Sequence, residues 1–122
     1  MRILVCDDDL VCLKVIQRKL EAERDLHVTL AHDGKEAMQK LSSGDGFDLI
    51  ITDIHMPYFS GDQVLNFIRN DQGKKTPVIM LSADGEEEVI AMAFKEGVDA
   101  FIKKPVKPDE ILKAVKRFAK AK

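Results

Sequence analysis

The strongest constraint on the fold of this 122-residue chain is a regular alternation of short apolar runs with segments of helical periodicity. The apolar runs are predicted to be strands, at Arg2–Cys6, Leu26–Ala31, Phe47–Thr52, Val78–Leu81 and Val98–Ile102. Such alternation, without a linker or repeat, predicts a parallel sheet with helices on both faces. We therefore predict one α/β domain over residues 1–122, a doubly wound five-stranded parallel sheet of the flavodoxin-like (βα)5 type.

Five helical patterns follow these strands and carry recognisable end signals. They are predicted at about Leu10–Glu23, after a cap at Asp33, at about Asp62–Asn70, at about Gly85–Lys95, and from Pro108 onwards. Asp9 is the predicted cap of the first helix, and Gly97 the residue that ends the fourth. Glu86 to Glu88 suit the positive end of a helix dipole.

The third strand leads directly into a carboxylate. Its continuous apolar run, Leu49 to Ile51, is typical of a strand buried on both faces of a parallel sheet. The run stops at Asp53, and a turn with Pro57, Ser60 and Gly61 follows. Open α/β sheets bind their ligands at the carboxyl ends of such strands. Asp53 is therefore the predicted reactive centre.

Composition restricts the possible functions. Apolar residues make up 45% and charged residues 33%, an ordinary globular mixture, and the net charge of −2 gives no reason to expect nucleic-acid binding. The apolar runs are too short to span a bilayer, and the N-terminus lacks the apolar region of a signal peptide. We expect a cytoplasmic protein without membrane attachment. Cys6 and Cys12 form no metal or disulfide pattern and are predicted to be buried free thiols.

Charged and polar residues follow four of the predicted strands. Asp7 and Asp8 follow the first, Asp53 the third, Ser82 the fourth and Lys104 the fifth. If the strand order is flavodoxin-like, these groups meet at one edge of the sheet. An acidic pair after a buried strand is costly without a partner, and clustered carboxylates repel unless a cation neutralises them.

This set of groups predicts phosphoryl chemistry. Oxygen ligands without histidine or thiolate favour Mg²⁺, which Asp7 and Asp8 would hold. Asp53 would be the nucleophile, since carboxylates form acyl phosphates. Ser82 would donate a hydrogen bond to a phosphoryl oxygen, and Lys104 would supply a fixed positive charge.

At these residues the chain resembles the receiver domains of two-component response regulators, over essentially its full length. The resemblance rests on four motifs in order: the acidic pair of ILVCDDD, the DIHMP turn with Gly61 eight residues after Asp53, LSA in the fourth strand and FIKKP in the fifth. It implies phosphorylation of Asp53, with Mg²⁺ held by Asp8, Asp53 and the carbonyl of His55, assisted by Asp7. It also implies that Ser82 and Lys104 bind the phosphoryl group.

The resemblance further implies a conformational switch. Ser82 and Phe101 would be its switch residues, and the Lys104–Pro105 peptide would be cis. The family often has threonine at the position of Ser82 and tyrosine at that of Phe101, so a switch here works without a phenolic hydroxyl. His55 and Asp84 occupy positions that influence the lifetime of the phosphoryl group in this family.

The implied function is a signalling switch and not an enzyme, apart from limited self-phosphorylation and self-dephosphorylation. The phosphodonor would be a histidine kinase or a histidine phosphotransfer protein. Phosphorylation would change the surface of the fourth helix, fifth strand and last helix, and so control a target protein or output domain. Dimerisation on phosphorylation is possible, and we expect no direct nucleic-acid binding.

Two other classes of protein fit the sequence less well. An aspartyl-phosphate hydrolase of the haloacid dehalogenase type would carry a second acid where His55 stands, together with a cap domain. A flavodoxin-like cofactor-binding module would need a phosphate-binding loop where Asp7 to Asp9 stand. The apolar run from Ala91 to Phe94 is compatible with two structures, an apolar docking patch or a fully buried helix. His27 and His32 are predicted to be surface residues.

Overall fold

A computed structural model describes residues 1–44 and 46–119 and contains one parallel sheet. Its strands are β1 (Arg2–Cys6), β2 (His27–Ala31), β3 (Leu49–Asp53), β4 (Val78–Ser82) and β5 (Ala100–Lys103). They are ordered β2-β1-β3-β4-β5, and every neighbouring pair is parallel. The predicted doubly wound, flavodoxin-like sheet is confirmed. The predicted domain end at residue 122 lies outside the described residues.

Helices connect successive strands and follow the last one. They are α1 (Leu10–Glu21), α2 (Gly34–Ser42), α3 (Gly61–Asn66), α4 (Glu87–Glu96) and α5 (Pro108–Ala119). The Asp9 carboxylate accepts hydrogen bonds from two amides of the first turn of α1, and Asp33 accepts one in α2. Ser60 begins α3 in a reciprocal capping arrangement with Gln63. These polar caps fix where the helices begin, and they place the preceding loops along one edge of the sheet.

The core has two layers, one on each face of the sheet. Alternate residues of β1 supply both: Ile3 and Val5 face α1 and α5, whereas Leu4 and Cys6 face α2, α3 and α4. All four are completely buried. A fully buried aliphatic side chain stabilises a fold by about 1.5–3 kcal/mol, so the register of β1 is strongly specified. The sheet is therefore a rigid platform for the loops at its edge.

Several predicted boundaries were wrong. The prediction began β3 at Phe47 and ended it at Thr52, but the strand runs from Leu49 to Asp53, so the carboxylate itself belongs to the strand. β5 begins at Ala100 and not at Val98, because the Val98 amide bonds the Ala93 carbonyl at the end of α4. Gly97, in the left-handed conformation, ends that helix as predicted.

The predictions for α3 and α4 also need correction. A single helix was predicted to reach Asn70, but α3 changes at Phe67 into a π-helical segment, Phe67–Asp71. α4 begins at Glu87 and not near Gly85, because the Asp84 carboxylate accepts the Glu86 amide in a turn before the helix. This turn takes the chain from the end of β4 to α4.

The exposure of individual side chains tests the predictions about which residues lie at the surface. Cys6 and Cys12 are buried free thiols, and His27 and His32 are exposed, as predicted. On α4, the Met92 and Phe94 side chains are 54% and 47% exposed, so the structure favours an apolar surface patch over a fully buried helix. Within residues 1–44 and 46–119, none of the helices combines the length and the apolar character that crossing a bilayer requires.

Candidate functional site

Two carboxylates lie side by side at the carboxyl edge of the sheet. β1 and β3 pair Cys6 with Thr52, which brings the next residues, Asp7 and Asp53, to the same level. The Asp7 amide donates to the Ala31 carbonyl at 3.1 Å, and this hydrogen bond holds the carboxyl end of β1 against β2. Asp7 is fully buried and Asp53 is 6% exposed. The parallel register therefore brings two mostly desolvated acids together.

Lys104 supplies the positive charge between these acids. Its Nζ lies 2.8 Å from Asp53 Oδ2 and 2.8 Å from Asp7 Oδ2. It donates a hydrogen bond to Asp53, whereas its approach to Asp7 is an ion pair without hydrogen-bond geometry. The backbone holds the lysine in place, because the Lys104 amide donates to the Ser82 carbonyl at 2.8 Å. The Lys104–Pro105 peptide is cis, as predicted.

The charges shift one another's pKa values in opposite directions. Burial raises the pKa of Asp53, and the adjacent Asp7 charge adds to this effect, so that Lys104 only partly offsets it. Burial also opposes ionisation of Asp7, but the contact with Lys104 and the hydrogen bond from the Asp9 amide outweigh it and lower its pKa. Burial opposes protonation of Lys104, but the two carboxylates prevail and raise its pKa. The three groups therefore form one coupled unit.

Asp8 completes a set of oxygen donors. One carboxylate oxygen each from Asp7, Asp8 and Asp53 lies within 4.8 Å of the other two. Asp8 is exposed, so the burial argument made for the acidic pair was wrong for Asp8 and holds for Asp7 alone. Asp7 Oδ2 is a buried oxygen without a hydrogen-bond donor among the described residues. Three hard oxygen donors this close together fit a hard divalent cation such as Mg²⁺.

Ser82 lies at the same edge and connects the site to α4. Its side chain is fully buried at the end of β4, one residue beyond Leu81, which pairs with Asp53. The Ser82 Oγ accepts a hydrogen bond from the Asp84 amide at 3.0 Å. Asp84 itself is exposed, and its carboxylate accepts the Glu86 amide at 3.1 Å. The Ser82 hydroxyl therefore retains its own proton for a further acceptor.

The chain matches the response regulator receiver domain family over residues 3–116. This protein belongs to that family. It is 37% identical to the rice (Oryza sativa subsp. indica) two-component response regulator ORR23 over 112 residues, which cover 91% of this chain but only 16% of that protein. Among solved structures, the Francisella response regulator 1452 receiver domain has a TM-score of 0.90 at 35% identity, covering 98% of this chain and 97% of that one. The BeF3-activated DrrB receiver domain has a TM-score of 0.84 at 28% identity, covering 98% and 97%.

Two further predicted residues of this receiver domain, His55 and Phe101, are more exposed than Asp7 and Asp53. The His55 amide donates to Asp53 Oδ1 at 3.2 Å, while its imidazole is exposed. Phe101 lies on β5 beside Met80 of β4, half-buried against the core layer that contains α4. The structure thus brings Asp7, Asp8, Asp53 and Lys104 together, and the His55 amide also contacts Asp53. Phe101 is described only in contact with the core layer that contains α4.

Two groups beside Asp53 also shape the receiver site: Thr52, for which the sequence analysis gave no role, and Gly61, which it named only as part of the turn after Asp53. The buried Thr52 hydroxyl donates to the Asp53 carbonyl at 3.0 Å, so it orients the backbone at the carboxylate. Gly61 packs so closely that a Cβ there would collide with the same carbonyl oxygen, and its amide donates to the Ile54 carbonyl at 2.7 Å. The sequence positions of both residues were a signal, because Thr52 directly precedes Asp53 and Gly61 ends the predicted turn. Their contacts, however, appear only in the folded chain.

Proposed function

We propose that this receiver domain is a phosphoryl-accepting signalling switch in which Asp53 takes a phosphoryl group from a histidine kinase or a histidine phosphotransfer protein. The observation that carries this proposal is the position of Lys104, whose ammonium contacts both Asp53 and Asp7 at 2.8 Å. A carboxylate beside a fixed cation, at the ligand-binding edge of the sheet, is suited to acyl phosphate formation. The related DrrB receiver domain, solved in a BeF3-activated form, supports the same function.

The proposed transfer uses an oxygen of the Asp53 carboxylate as nucleophile. Its lone pair forms the new P–O bond while the P–N bond to the donor histidine breaks, and the electron pair of that bond returns to the imidazole. The Lys104 ammonium then neutralises part of the charge on the phosphoryl oxygens. The enclosed position of Asp53, 6% exposed, limits access of water to the acyl phosphate. A small phosphodonor fits the same path, which gives limited self-phosphorylation.

Mg²⁺ is the proposed cofactor, and the residues present fit it. Asp7, Asp8 and Asp53 would hold the ion, together with the carbonyl of His55. When bound, Mg²⁺ supplies counter-charge to the phosphoryl oxygens. Asp7 keeps its negative charge for this purpose, because Lys104 and the Asp9 amide hold its pKa below the ordinary carboxyl value.

The switch is proposed to act through Ser82. A hydrogen bond from its hydroxyl to a phosphoryl oxygen would draw the end of β4 towards Asp53. Because Ser82 Oγ accepts the Asp84 amide and Asp84 accepts the Glu86 amide, the start of α4 would follow. Phe101 would then repack, changing the surface formed by α4, β5 and α5. The Met92 and Phe94 side chains expose apolar area on α4, on either side of the buried Ala93, which a target protein or output domain would contact.

The same proposal extends to the output domain, the cellular location, the phosphoryl lifetime and dimerisation. The chain covers only 16% of the rice regulator, so any output domain is a property of that protein and a hypothesis for this one. Two free thiols are compatible with a reducing compartment, which supports a cytoplasmic location. The exposed His55 and Asp84 side chains lie where they would tune the phosphoryl lifetime, and dimerisation through α4, β5 and α5 is one possible output.

Intact mass after incubation with acetyl phosphate tests this function. With Mg²⁺ the wild type should gain one phosphoryl group, and Asp53→Asn should gain none. Asp25→Asn is the matched control, since it removes an exposed carboxylate on the approach to β2, and it should label like the wild type. Labelling of Asp53→Asn, or labelling independent of Mg²⁺, would contradict the proposal. If the wild type gains no phosphoryl group, its binding of beryllofluoride is measured next. Binding indicates that the phosphoryl group has a short lifetime, and no binding indicates an inactive site.

A further inference from the structure

A groove separate from the phosphoacceptor site runs between α2, α3 and the end of α4. It encloses about 800 Å³. Its apolar lining comes mainly from Met38, Phe59 and Phe67, of which Phe59 is 37% exposed and the other two are half-buried. Exposed apolar area of this kind, inside a concave surface, is typical of a site for another protein.

The charged groups of this groove all have the same sign. Asp62, Asp71 and Glu96 line it, and the described lining contains no lysine or arginine. The Asp62 carboxylate of α3 and the Glu96 carboxylate of α4 both line the groove. Partial burial, followed by the charge of Asp62, raises the pKa of Glu96. A cationic group placed here would relieve the repulsion between these carboxylates.

The backbone around the groove is unusual at two places. Phe67 and Asp71 belong to the π-helical segment that ends α3, a conformation that is rare and is frequently found at functional sites. Phe59 belongs to the loop that follows Asp53. The Gly34 amide at the start of α2 donates to Pro57 of that loop, and a Cβ at Gly34 would collide with Phe59. The Phe59 side of the groove is therefore held against the start of α2.

We propose that this groove, defined by Met38, Phe59, Asp62, Phe67, Asp71 and Glu96, is a docking site for a partner protein that presents a basic amphipathic helix. The apolar face of the helix packs on the two phenylalanines and the methionine, and its lysine or arginine side chains pair with the three carboxylates. Helix-in-groove recognition combines these two kinds of contact. The proposal stands independently of Asp53 phosphorylation, because none of its contacts involves the phosphoryl group.

A synthetic helical peptide with leucines on one face and lysines on the other tests the proposal. Binding to the ¹⁵N-labelled protein is followed by NMR, against a matched peptide in which glutamates replace the lysines. We expect saturable shift changes at the amides of Phe59, Phe67 and Asp71 with the lysine peptide only. Higher salt should weaken this binding, because the carboxylates are near the surface.

Variants locate the binding site. Asp71→Asn with Glu96→Gln should weaken the lysine peptide by about fivefold or more, since surface ion pairs are individually modest. The control, Asp25→Asn with Glu21→Gln, removes the same charge away from the groove and should bind like the wild type. Asn70→Trp fills the groove from an exposed position and should abolish binding while the thermal unfolding curve stays unchanged.

Four results would overturn the proposal. The first is equal binding of the lysine and glutamate peptides, and the second is equal affinity of the groove and control variants. The third is a shift of the groove amides that depends on protein concentration when no peptide is present, because a second copy of this chain would then occupy the groove. Shift changes confined to α1 or α5 would likewise place the peptide elsewhere.

Discussion

Replacement of Lys104 by methionine should destabilise the protein by about 3 kcal/mol at pH 7 without divalent cations. Methionine keeps most of the aliphatic length but removes the ammonium that lies 2.8 Å from both Asp7 Oδ2 and Asp53 Oδ2. Each contact has a gross Coulomb energy of about 6 kcal/mol at an effective dielectric constant of about 20. The net loss of folding free energy is smaller for two reasons. In the wild type, desolvation of Lys104 already opposes these contacts. In the variant, one of the two carboxyl groups takes up a proton, which removes part of the unpaired charge. Breaking a buried pair costs about 3–5 kcal/mol in general, and proton uptake places this case at the lower end.

The same variant should have a distinctive pH dependence. In the wild type the pKa of Asp7 is lowered, so its stabilising contribution is present above the ordinary carboxyl pKa and is lost as the pH falls below it. Without Lys104 the pKa values of Asp7 and Asp53 both move upwards, because the nearby cation is gone. A carboxyl group with a raised pKa favours the folded state more as the pH falls through that pKa. The difference between variant and wild type should therefore shrink from pH 7 to pH 5.

Urea unfolding, followed by far-ultraviolet circular dichroism in the presence of a chelator, measures both effects. Lys103→Met is the control, since Lys103 is the exposed neighbour and has no ion pair in the structure described for residues 1–44 and 46–119. It should change the free energy of unfolding by less than about 0.5 kcal/mol. Equal stability of the two variants at pH 7, or a difference that does not shrink with falling pH, would refute the electrostatic account.

Three further predictions concern the scaffold around the site. Asp9→Ala removes the cap of α1 and should lower the free energy of unfolding by about 1 kcal/mol in urea titration. Gly61→Ala forces a Cβ against the Asp53 carbonyl and should cost about 3 kcal/mol, whereas Gly46→Ala, with open space around it, should be close to neutral in the same assay. Burial, followed by a neighbouring carboxylate, raises the pKa of the Cys12 thiol to about 12, so iodoacetamide at pH 7 should label Cys12 far more slowly in the folded protein than in urea. Equal rates would contradict that burial.

The sequence predicted the parts of this structure that depend on local chemistry. Alternating patterns gave the five strands and the doubly wound class, and the carboxylates of Asp9 and Asp33 gave the starts of two helices. The sheet edge then followed from the rule that parallel strands end together. The position of Asp53 was predictable for the same reason, because the run of apolar residues before it left no other place for a strand end.

Contacts between distant segments were not predictable in this way. The sequence offers Lys103 at the end of β5 and Lys104 directly after it, and local chemistry alone does not choose between them. The resemblance to receiver domains favoured Lys104, and the fold shows that its ammonium reaches Asp7 and Asp53. The π-helical segment that begins at Phe67 contains no glycine or proline to announce it. The acidic groove joins residues from α2, the loop after β3, α3 and α4, so its shape and its single sign of charge exist only once these helices pack.

The charge balance of the site explains why its proposed cofactor and its proposed signal belong together. Asp7, Asp8 and Asp53 share the single ammonium of Lys104, so the ionised cluster already carries an excess of negative charge. A phosphoryl group on Asp53 increases that excess, and a divalent cation offsets it. Hydrogen-bond donors would stabilise the charge that remains. Among residues 1–44 and 46–119 the Ser82 Oγ is seen only as an acceptor, so its proton is available for a phosphoryl oxygen. Since that acceptor bond comes from the Asp84 amide, the proposed mechanism would couple a hydrogen bond to the phosphoryl group with a movement of the start of α4.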